Sequence, residues 1–182
     1  MLLDEKALVE GIKNGDEESF IEVVDMFKRK ILSLCYSYTK DYQEAEDLSQ
    51  EVFIKLYNSI DNFRGECSLA TYIYKITVSK CLDYVRKNRF KNLFTGLIKD
   101  EEDRTESFED KGYIKQCIIS LPEKFKTPVI LHYYMGLSYK EIGDILNITA
   151  KNVEGRIYIA KQRLKKELES EGYFECSRNG MI

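Results

Sequence analysis

The stretch LSYKEIGDILNITAKNVEGRIYIAKQRLKK, residues 137–166, decides the fold of the second half of the chain. Ser138 and Glu141 have the spacing of a capping box, which predicts the start of a short helix. Asn147 suits the left-handed residue that ends such a helix, and Thr149 is a capping residue for a following one. Two helices joined by one tight turn form a helix-turn-helix, a motif that often binds DNA.

The second helix of this motif has an apolar side and an opposite side rich in basic and amide side chains. Its apolar side is predicted to contain Val153, Ile157, Ala160 and Leu164. Lys and Arg neutralise phosphates, Asn and Gln can read base edges, and a glycine lets the DNA backbone come close. The candidate DNA contacts are Lys151, Asn152, Gly155, Arg156, Tyr158, Gln162 and Arg163.

Two other interpretations of this segment stay open at this point. A solvated amphipathic helix in an ordinary bundle also carries basic side chains on its outer side. A helix-turn-helix regulator, such as a repressor, contains the same motif and binds an operator on its own. The motif therefore indicates DNA binding without indicating which kind of DNA-binding protein carries it.

The first half of the chain also predicts helices. Apolar residues recur at helical spacing over residues 20–38, with Asp16 before them as the predicted N-cap. Asp41 and Ser68 are predicted to open two further helices, over 41–60 and 68–88. Residues 1–90 therefore predict a helical bundle. In the second half, Pro122 is expected to end a helix, with Thr127 capping the next one.

A predicted linker separates the two halves. Helical periodicity fades after residue 90, and the stretch DEEDRTESFED, residues 100–110, has seven acids, one arginine and a single apolar residue. Such a composition cannot bury enough apolar surface to order itself. The predicted fold class is all-α, with two small helical domains joined by an acidic flexible linker. The predicted segments are the bundle (1–90), the linker (91–112), the helix-turn-helix domain (113–170) and a tail (171–182).

Composition argues against several functions. The five cysteines form no CxxC pair and His132 is the single histidine, so we expect no metal site, no cofactor and no catalytic residue. No apolar run approaches the roughly 20 residues that span a bilayer, so we expect no direct membrane insertion and a cytoplasmic location. A net charge of −3 argues against a generic basic nucleic-acid binder.

Two helices of the predicted bundle have contrasting outer sides. On the predicted helix over 41–60, Asp47, Gln50 and Glu51 lie near Phe53 and Leu56. An acidic side with apolar neighbours suits a protein partner, or it is an ordinary solvated helix side. On the second, an aromatic residue lies among charges, which suits single-stranded DNA or a bundle contact. The residues of that second side are Tyr72, Lys75, Ser79, Lys80, Asp83, Arg86 and Lys87.

Three segments resemble the extracytoplasmic-function group of bacterial RNA polymerase sigma factors. They are EAEDLSQEVFIKLY (44–57), ATYIYKITVSKCLDYVRK (70–87), and LPEKFKTPVILHYYMGLSYKEIGDIL (121–146) with the helix that follows it. The resemblance implies that they contact the polymerase clamp, the minus-ten promoter element and the minus-thirty-five element, in that order. It also implies core RNA polymerase, promoter DNA and an anti-sigma factor as partners.

Site residues follow from the same resemblance. It implies core polymerase contacts at Asp47, Gln50, Glu51, Phe53 and Leu56. It adds Phe63, on the loop before residue 70, to the minus-ten set of Tyr72, Lys75, Ser79, Lys80, Asp83, Arg86 and Lys87. The chain departs from the family pattern at Tyr72, Ser79, Lys151 and Glu154, so its promoter specificity is expected to differ from that of its relatives.

Overall fold

The structure, a computed structural model, describes residues 5–95 and 110–170, and within them the side chains of residues 5–88 and 113–170. Over these ranges the chain forms eight α-helices, a short 3-10 helix and no strand, which confirms the all-α prediction. The helices are α1 (Glu5–Lys13), α2 (Glu17–Thr39), α3 (Tyr42–Ser59), the 3-10 helix (Ile60–Asn62), α4 (Leu69–Thr95), α5 (Asp110–Ser120), α6 (Glu123–Tyr133), α7 (Tyr139–Leu146) and α8 (Ala150–Ser170).

The described residues fall into two compact units, 5–95 and 110–170. Helix α4 continues past residue 90 to Thr95. Helix α5 already begins at Asp110, inside the predicted linker. The rest of that linker, residues 96–109, and the predicted tail lie outside the described residues.

Helix α2 is the central element of the first unit, since it packs against α1, α3 and α4. Val23, Ile31 and Leu34 of α2 are completely buried in this contact. The predicted cap at Asp16 is confirmed, because its carboxylate accepts hydrogen bonds from the backbone N–H groups at the start of the helix. The other end of α2 is closed by Lys40 in the left-handed conformation, with φ of 57°.

The next two helices also begin where the sequence predicts. The Asp41 carboxylate accepts a hydrogen bond from the Glu44 N–H at 2.9 Å, which caps α3. The Ser68 hydroxyl accepts one from the Thr71 N–H at 3.1 Å, which caps α4. These caps set the start of the two helices whose outer sides carry the candidate binding residues.

In the second unit the helix-turn-helix is confirmed. Ser138 and Glu141 form the capping box of α7, and Asn147 ends this helix with φ of 54°. The Thr149 hydroxyl accepts a hydrogen bond from the Asn152 N–H at 3.2 Å and so caps α8. The apolar side of α8 is buried, with Val153, Ile157 and Ala160 at most 2% exposed.

The predicted helix start at Thr127 is wrong. Helix α6 begins at Glu123, directly after Pro122, whose carbonyl accepts the hydrogen bond of the Phe125 N–H at 2.8 Å. Pro128 lies inside this helix, and the Thr127 hydroxyl donates to the Glu123 carbonyl instead of capping. The buried apolar side of α6 continues on both sides of the proline, and its packing outweighs the backbone hydrogen bond that Pro128 cannot donate.

One glycine makes the tight turn between α7 and α8 possible. A Cβ atom at Gly143 would lie 2.6 Å from the Ile148 carbonyl oxygen, a contact too short for real atoms. The Ile148 N–H donates to the Gly143 carbonyl at 3.0 Å, so the two backbones are held together at this point. Helical spacing alone does not identify this role of Gly143.

We expect Gly143→Ala to destabilise the second unit by about 1–3 kcal/mol, because the added methyl group forces the two backbones apart. The matched control is Gly155→Ala, since a Cβ at Gly155 meets no atom within 4 Å. That change should stabilise α8 by roughly 0.5–1 kcal/mol through helix propensity. Native-state hydrogen exchange of the α7 and α8 amides measures both effects, and equal protection in the two variants would contradict the assignment.

Candidate functional site

The outer side of α3 carries the acidic residues predicted to contact a protein. Asp47, Gln50 and Glu51 are all exposed. The Glu51 carboxylate accepts a hydrogen bond from the Lys80 ammonium group of α4 at 2.8 Å. We call these three residues of α3 the acidic face.

The apolar neighbours of the acidic face differ from those that the sequence predicted. Leu56 is completely buried, so its side chain belongs to the core of the bundle and its assignment as a direct polymerase contact is corrected. Phe53 is half-buried. Ile54 is 60% exposed, although it had not been selected. Helical spacing could have identified it, because it follows Gln50 by four residues and therefore lies on the same side of the helix.

An apolar groove continues this surface between α2 and α3. Ile54 and Tyr57 line it from α3, and Phe20 and Ile21 line it from α2. The rings of Phe20 and Tyr57 pack edge to face, with centroids 5.0 Å apart. Ile54 belongs to the groove and also lies next to the acidic face, so the two surfaces are continuous.

Helix α4 presents most of the charged residues predicted to contact DNA. Its exposed candidates are Lys75, Ser79, Asp83, Arg86 and Lys87. Asp83 and Arg86 form an ion pair of 3.2 Å within the helix, so the charge of Arg86 is partly balanced. Lys80 is half-buried and pairs with Glu51, which brings a predicted DNA contact and a predicted polymerase contact together.

The two aromatic candidates of the first unit pack against each other. Phe63 is 9% exposed and Tyr72 is half-buried, with ring centroids 5.1 Å apart. The Tyr72 hydroxyl donates a hydrogen bond to the Ser59 carbonyl at 2.9 Å. Tyr72 is therefore held by a bundle contact while part of it remains accessible, and Phe63 supports it from below the surface.

In the second unit the outer side of α8 matches the sequence projection at most positions. Lys151, Asn152, Gly155, Tyr158 and Gln162 are exposed, and Arg156 is half-buried. Arg163 is also exposed, but its guanidinium lies over the Phe125 ring of α6, 4.7 Å from the centroid. Arg163 therefore contributes to packing between α6 and α8, a contact that helical spacing does not predict.

Lys161, a further basic residue of α8, contacts a tyrosine of α6. The Lys161 ammonium group lies 5.3 Å from the centroid of the Tyr133 ring, and a hydrogen bond with Tyr133 raises the pKa of Lys161. Lys161 is exposed, and Tyr158 on the same helix is 64% exposed.

Over residues 5–88 and 113–170, whose side chains the structure describes, no group of three or more His, Cys, Asp or Glu side chains is arranged to hold a metal ion. No helix in that part of the chain is long and apolar enough to cross a membrane.

Comparison with protein families agrees with this division into two units. Residues 23–91 match the family model of sigma-70 region 2, and residues 111–164 match that of sigma-70 region 4. The first match covers α3 and most of α4, and the second covers the helix-turn-helix. A regulator that has only a helix-turn-helix does not account for the first match.

Curated relatives are similar along almost their whole length. The chain is 34% identical over 179 residues to the ECF RNA polymerase sigma factor SigW of Bacillus subtilis, covering 90% of this chain and 96% of that protein. It is 30% identical over 181 residues to the RNA polymerase sigma-H factor of Pseudomonas aeruginosa, covering 91% and 94%.

Two solved structures share the fold at 18% sequence identity. One is CnrH in complex with the cytosolic domain of CnrY, with a TM-score of 0.72 over 91% of this chain and 97% of that one. The other is the sigma factor RpoE in complex with the anti-sigma factor NepR from Bartonella quintana, with a TM-score of 0.73 over 84% and 98%. With region 2, region 4 and full-length relatives all matched, the chain belongs to the extracytoplasmic-function group of bacterial RNA polymerase sigma factors and directs transcription initiation at promoters.

Proposed function

We propose that this sigma factor binds core RNA polymerase through α3, an unpaired minus-ten strand through α4, and minus-thirty-five duplex through α8. The observation that carries the proposal is the outer side of α3, where exposed acids adjoin the exposed Ile54. In this mechanism the protein contributes binding energy and no catalytic group, and polymerase performs the chemistry. It therefore acts where the polymerase is, in the cytoplasm.

The polymerase surface consists of the acidic face together with Phe53 and Ile54. Exposed carboxylates attract a basic partner and set its orientation, while an apolar side chain supplies area that binding removes from water. Ile54 provides such area, because 60% of it is exposed in the free protein. Leu56 takes part only indirectly, as a buried residue that holds α3 on the bundle.

We expect Asp47→Asn and Ile54→Ser each to weaken binding to core polymerase about tenfold, because each removes an exposed contact at the proposed interface. The control is Asp25→Asn, which removes a carboxylate from the ion pair with Lys28 on α2. Fluorescence anisotropy of the labelled full-length protein, titrated with core polymerase, gives the affinities. Unchanged affinity for both variants would show that polymerase binds elsewhere.

The minus-ten surface consists of Tyr72 and the basic residues of α4. Aromatic rings stack on unpaired bases, and lysines and arginines track the backbone of a single strand. Tyr72 is suited to this role because its hydroxyl is fixed on Ser59 while its ring stays partly exposed. Stacking contributes roughly 1–3 kcal/mol per base, which can offset the cost of unstacking that base from the duplex.

Tyr72 offers a matched pair of substitutions. Tyr72→Phe keeps the ring and loses the hydrogen bond to Ser59, so we expect promoter opening to be largely retained. Tyr72→Ala removes the stacking surface, so opening should fall about fivefold or more. Permanganate footprinting of holoenzyme on a promoter measures the unpaired thymines, and equal footprints for the two variants would argue against base stacking on Tyr72.

The minus-thirty-five surface is the outer side of α8. Lys151 and Arg156 are placed to neutralise phosphates, and Asn152 and Gln162 to contact base edges. Gly155 leaves space on this side, since a Cβ there would meet no atom of the protein. Arg163 is the least suited member of the predicted set, because its guanidinium already lies over Phe125.

Two arginines of α8 should respond differently to replacement by methionine. Arg156→Met should weaken binding to a minus-thirty-five duplex by roughly 1–3 kcal/mol with little change in stability. Arg163→Met should instead lower the stability of the second unit by about 0.5–2 kcal/mol, because it removes the cation–π contact with Phe125. Holoenzyme binding to upstream duplex and thermal unfolding of the full chain separate the two effects. The same loss of DNA affinity in both variants would indicate that Arg163 also contacts DNA.

An anti-sigma factor is the further partner that we propose. The solved neighbour RpoE is bound to the anti-sigma factor NepR. A protein that covers the acidic face and the adjoining groove would compete with core polymerase for the same residues. The helix-turn-helix regulator considered from the sequence is not favoured, because region 2 is present in addition to the motif.

A further inference from the structure

Helix α1 is bonded to both ends of the loop that joins the 3-10 helix to α4. At one end, the Lys13 ammonium group donates a hydrogen bond to the Phe63 carbonyl at 2.9 Å. At the other end, the Glu5 carboxylate accepts a hydrogen bond from the Leu69 N–H. These contacts join residues 50 and 64 positions apart in the chain.

The contact of Glu5 satisfies a backbone group that has no partner within its own helix. Leu69 opens α4, and the first N–H groups of a helix have no acceptor within it. Ser68 accepts from one such group, that of Thr71, and Glu5 accepts from that of Leu69. A carboxylate at this place also interacts favourably with the positive end of the helix dipole.

Helix α1 is itself firmly placed on the bundle. Leu8, Val9 and Ile12 are each at most 8% exposed. Gly11 lies so close to the start of α2 that an added Cβ would be 2.9 Å from the Cβ of Ser19. The side chains that hold the loop therefore extend from a helix whose apolar side is buried against the bundle.

The middle of the loop, in contrast, is open. Arg64, Gly65 and Glu66 are exposed, and Gly65 has a φ of 73°, which favours glycine. A cleft between the loop and α1 is lined by Lys13 and Phe63 among others. Fixed ends and an exposed middle are typical of loops that bind ligands from a rigid scaffold.

We propose that Glu5 and Lys13 are positioning residues for minus-ten recognition. They hold the loop 63–69, and with it the packing of Phe63 on Tyr72, in the geometry that selects the unpaired base. This inference rests on the proposed role of Phe63 and Tyr72 in binding that base. Neither positioning residue needs to touch DNA, since each acts through a backbone atom of the loop.

A positioning role for Lys13 and Glu5 affects the selectivity between promoters rather than the overall affinity for DNA. Loss of a lysine charge near DNA weakens binding to all promoters alike, because phosphate contacts carry no sequence information. Loss of the hydrogen bond to Phe63 changes the loop geometry, and therefore changes the ratio between promoters that differ at one base. That ratio is the quantity to measure.

The test uses full-length protein with core polymerase and a barcoded promoter library in which each base of the minus-ten segment is varied. We expect Lys13→Met and Glu5→Met to lower the ratio of transcription between the best and the worst base roughly three- to tenfold, the range given by loss of one hydrogen bond. Lys13→Arg should restore the ratio, because a guanidinium can also donate to the Phe63 carbonyl. Two exposed residues of α2 provide controls, Glu18→Met and Lys30→Met.

The outcomes separate the proposal from the function on which it rests. A wild-type protein without base preference in this segment would overturn the minus-ten assignment itself. A selective wild type whose Lys13→Met and Glu5→Met variants keep the full ratio overturns the positioning role alone. A uniform loss of transcription with an unchanged ratio also overturns it, because that is the result of lower stability. If Glu5→Met does not fold, the comparison of Lys13→Met with Lys13→Arg decides.

Discussion

Burial of the apolar side of α2 is the interaction on which the first unit depends. Val23, Ile31 and Leu34 are removed completely from water by contact with α1, α3 and α4. Each fully buried side chain of this size contributes about 1.5–3 kcal/mol, so the neighbouring helices are held with their apolar sides inward. Their polar sides must then face outward, which is how the acidic face of α3 and the charged side of α4 become available to partners. Where these helices touch, Glu51 and Lys80 pair across them.

In the second unit, the turn between α7 and α8 decides which side of α8 faces outward. Its recognition surface is the outer side of α8, and the position of α8 depends on how closely the chain can turn after α7. The hydrogen bond from the Ile148 N–H to the Gly143 carbonyl holds that turn, and the absence of a Cβ at Gly143 makes it possible. Val153 and Ile157 then bury one side of α8, and Lys151 is left on the other.

Helical periodicity predicts some features of the candidate sites and not others. It places Asp47 and Gln50 correctly on one exposed side of α3, because both lie far from the buried stripe. It did not separate Leu56 from Ile54, because only the packing of α3 on α2 reveals where the buried stripe ends. On α8 it could not show that Arg163 leans over Phe125, since that contact joins two helices. Spacing along a helix therefore predicts which residues share one face of that helix. It does not predict which of those residues already contact another helix.

The sequence by itself determined the helix starts at Asp16, Asp41, Ser68 and Ser138, the helix-turn-helix and the membership of the sigma family. Those features depend on residues a few positions apart or on segments that resemble a family as a whole. Only the tertiary structure decided that α6 continues through Pro128 and that Glu5 and Lys13 hold the loop before α4. The physical reason is that both depend on packing between distant parts of the chain, where the burial of apolar surface outweighs local propensity. Contacts across 50 and 64 residues leave no periodic signal in the sequence.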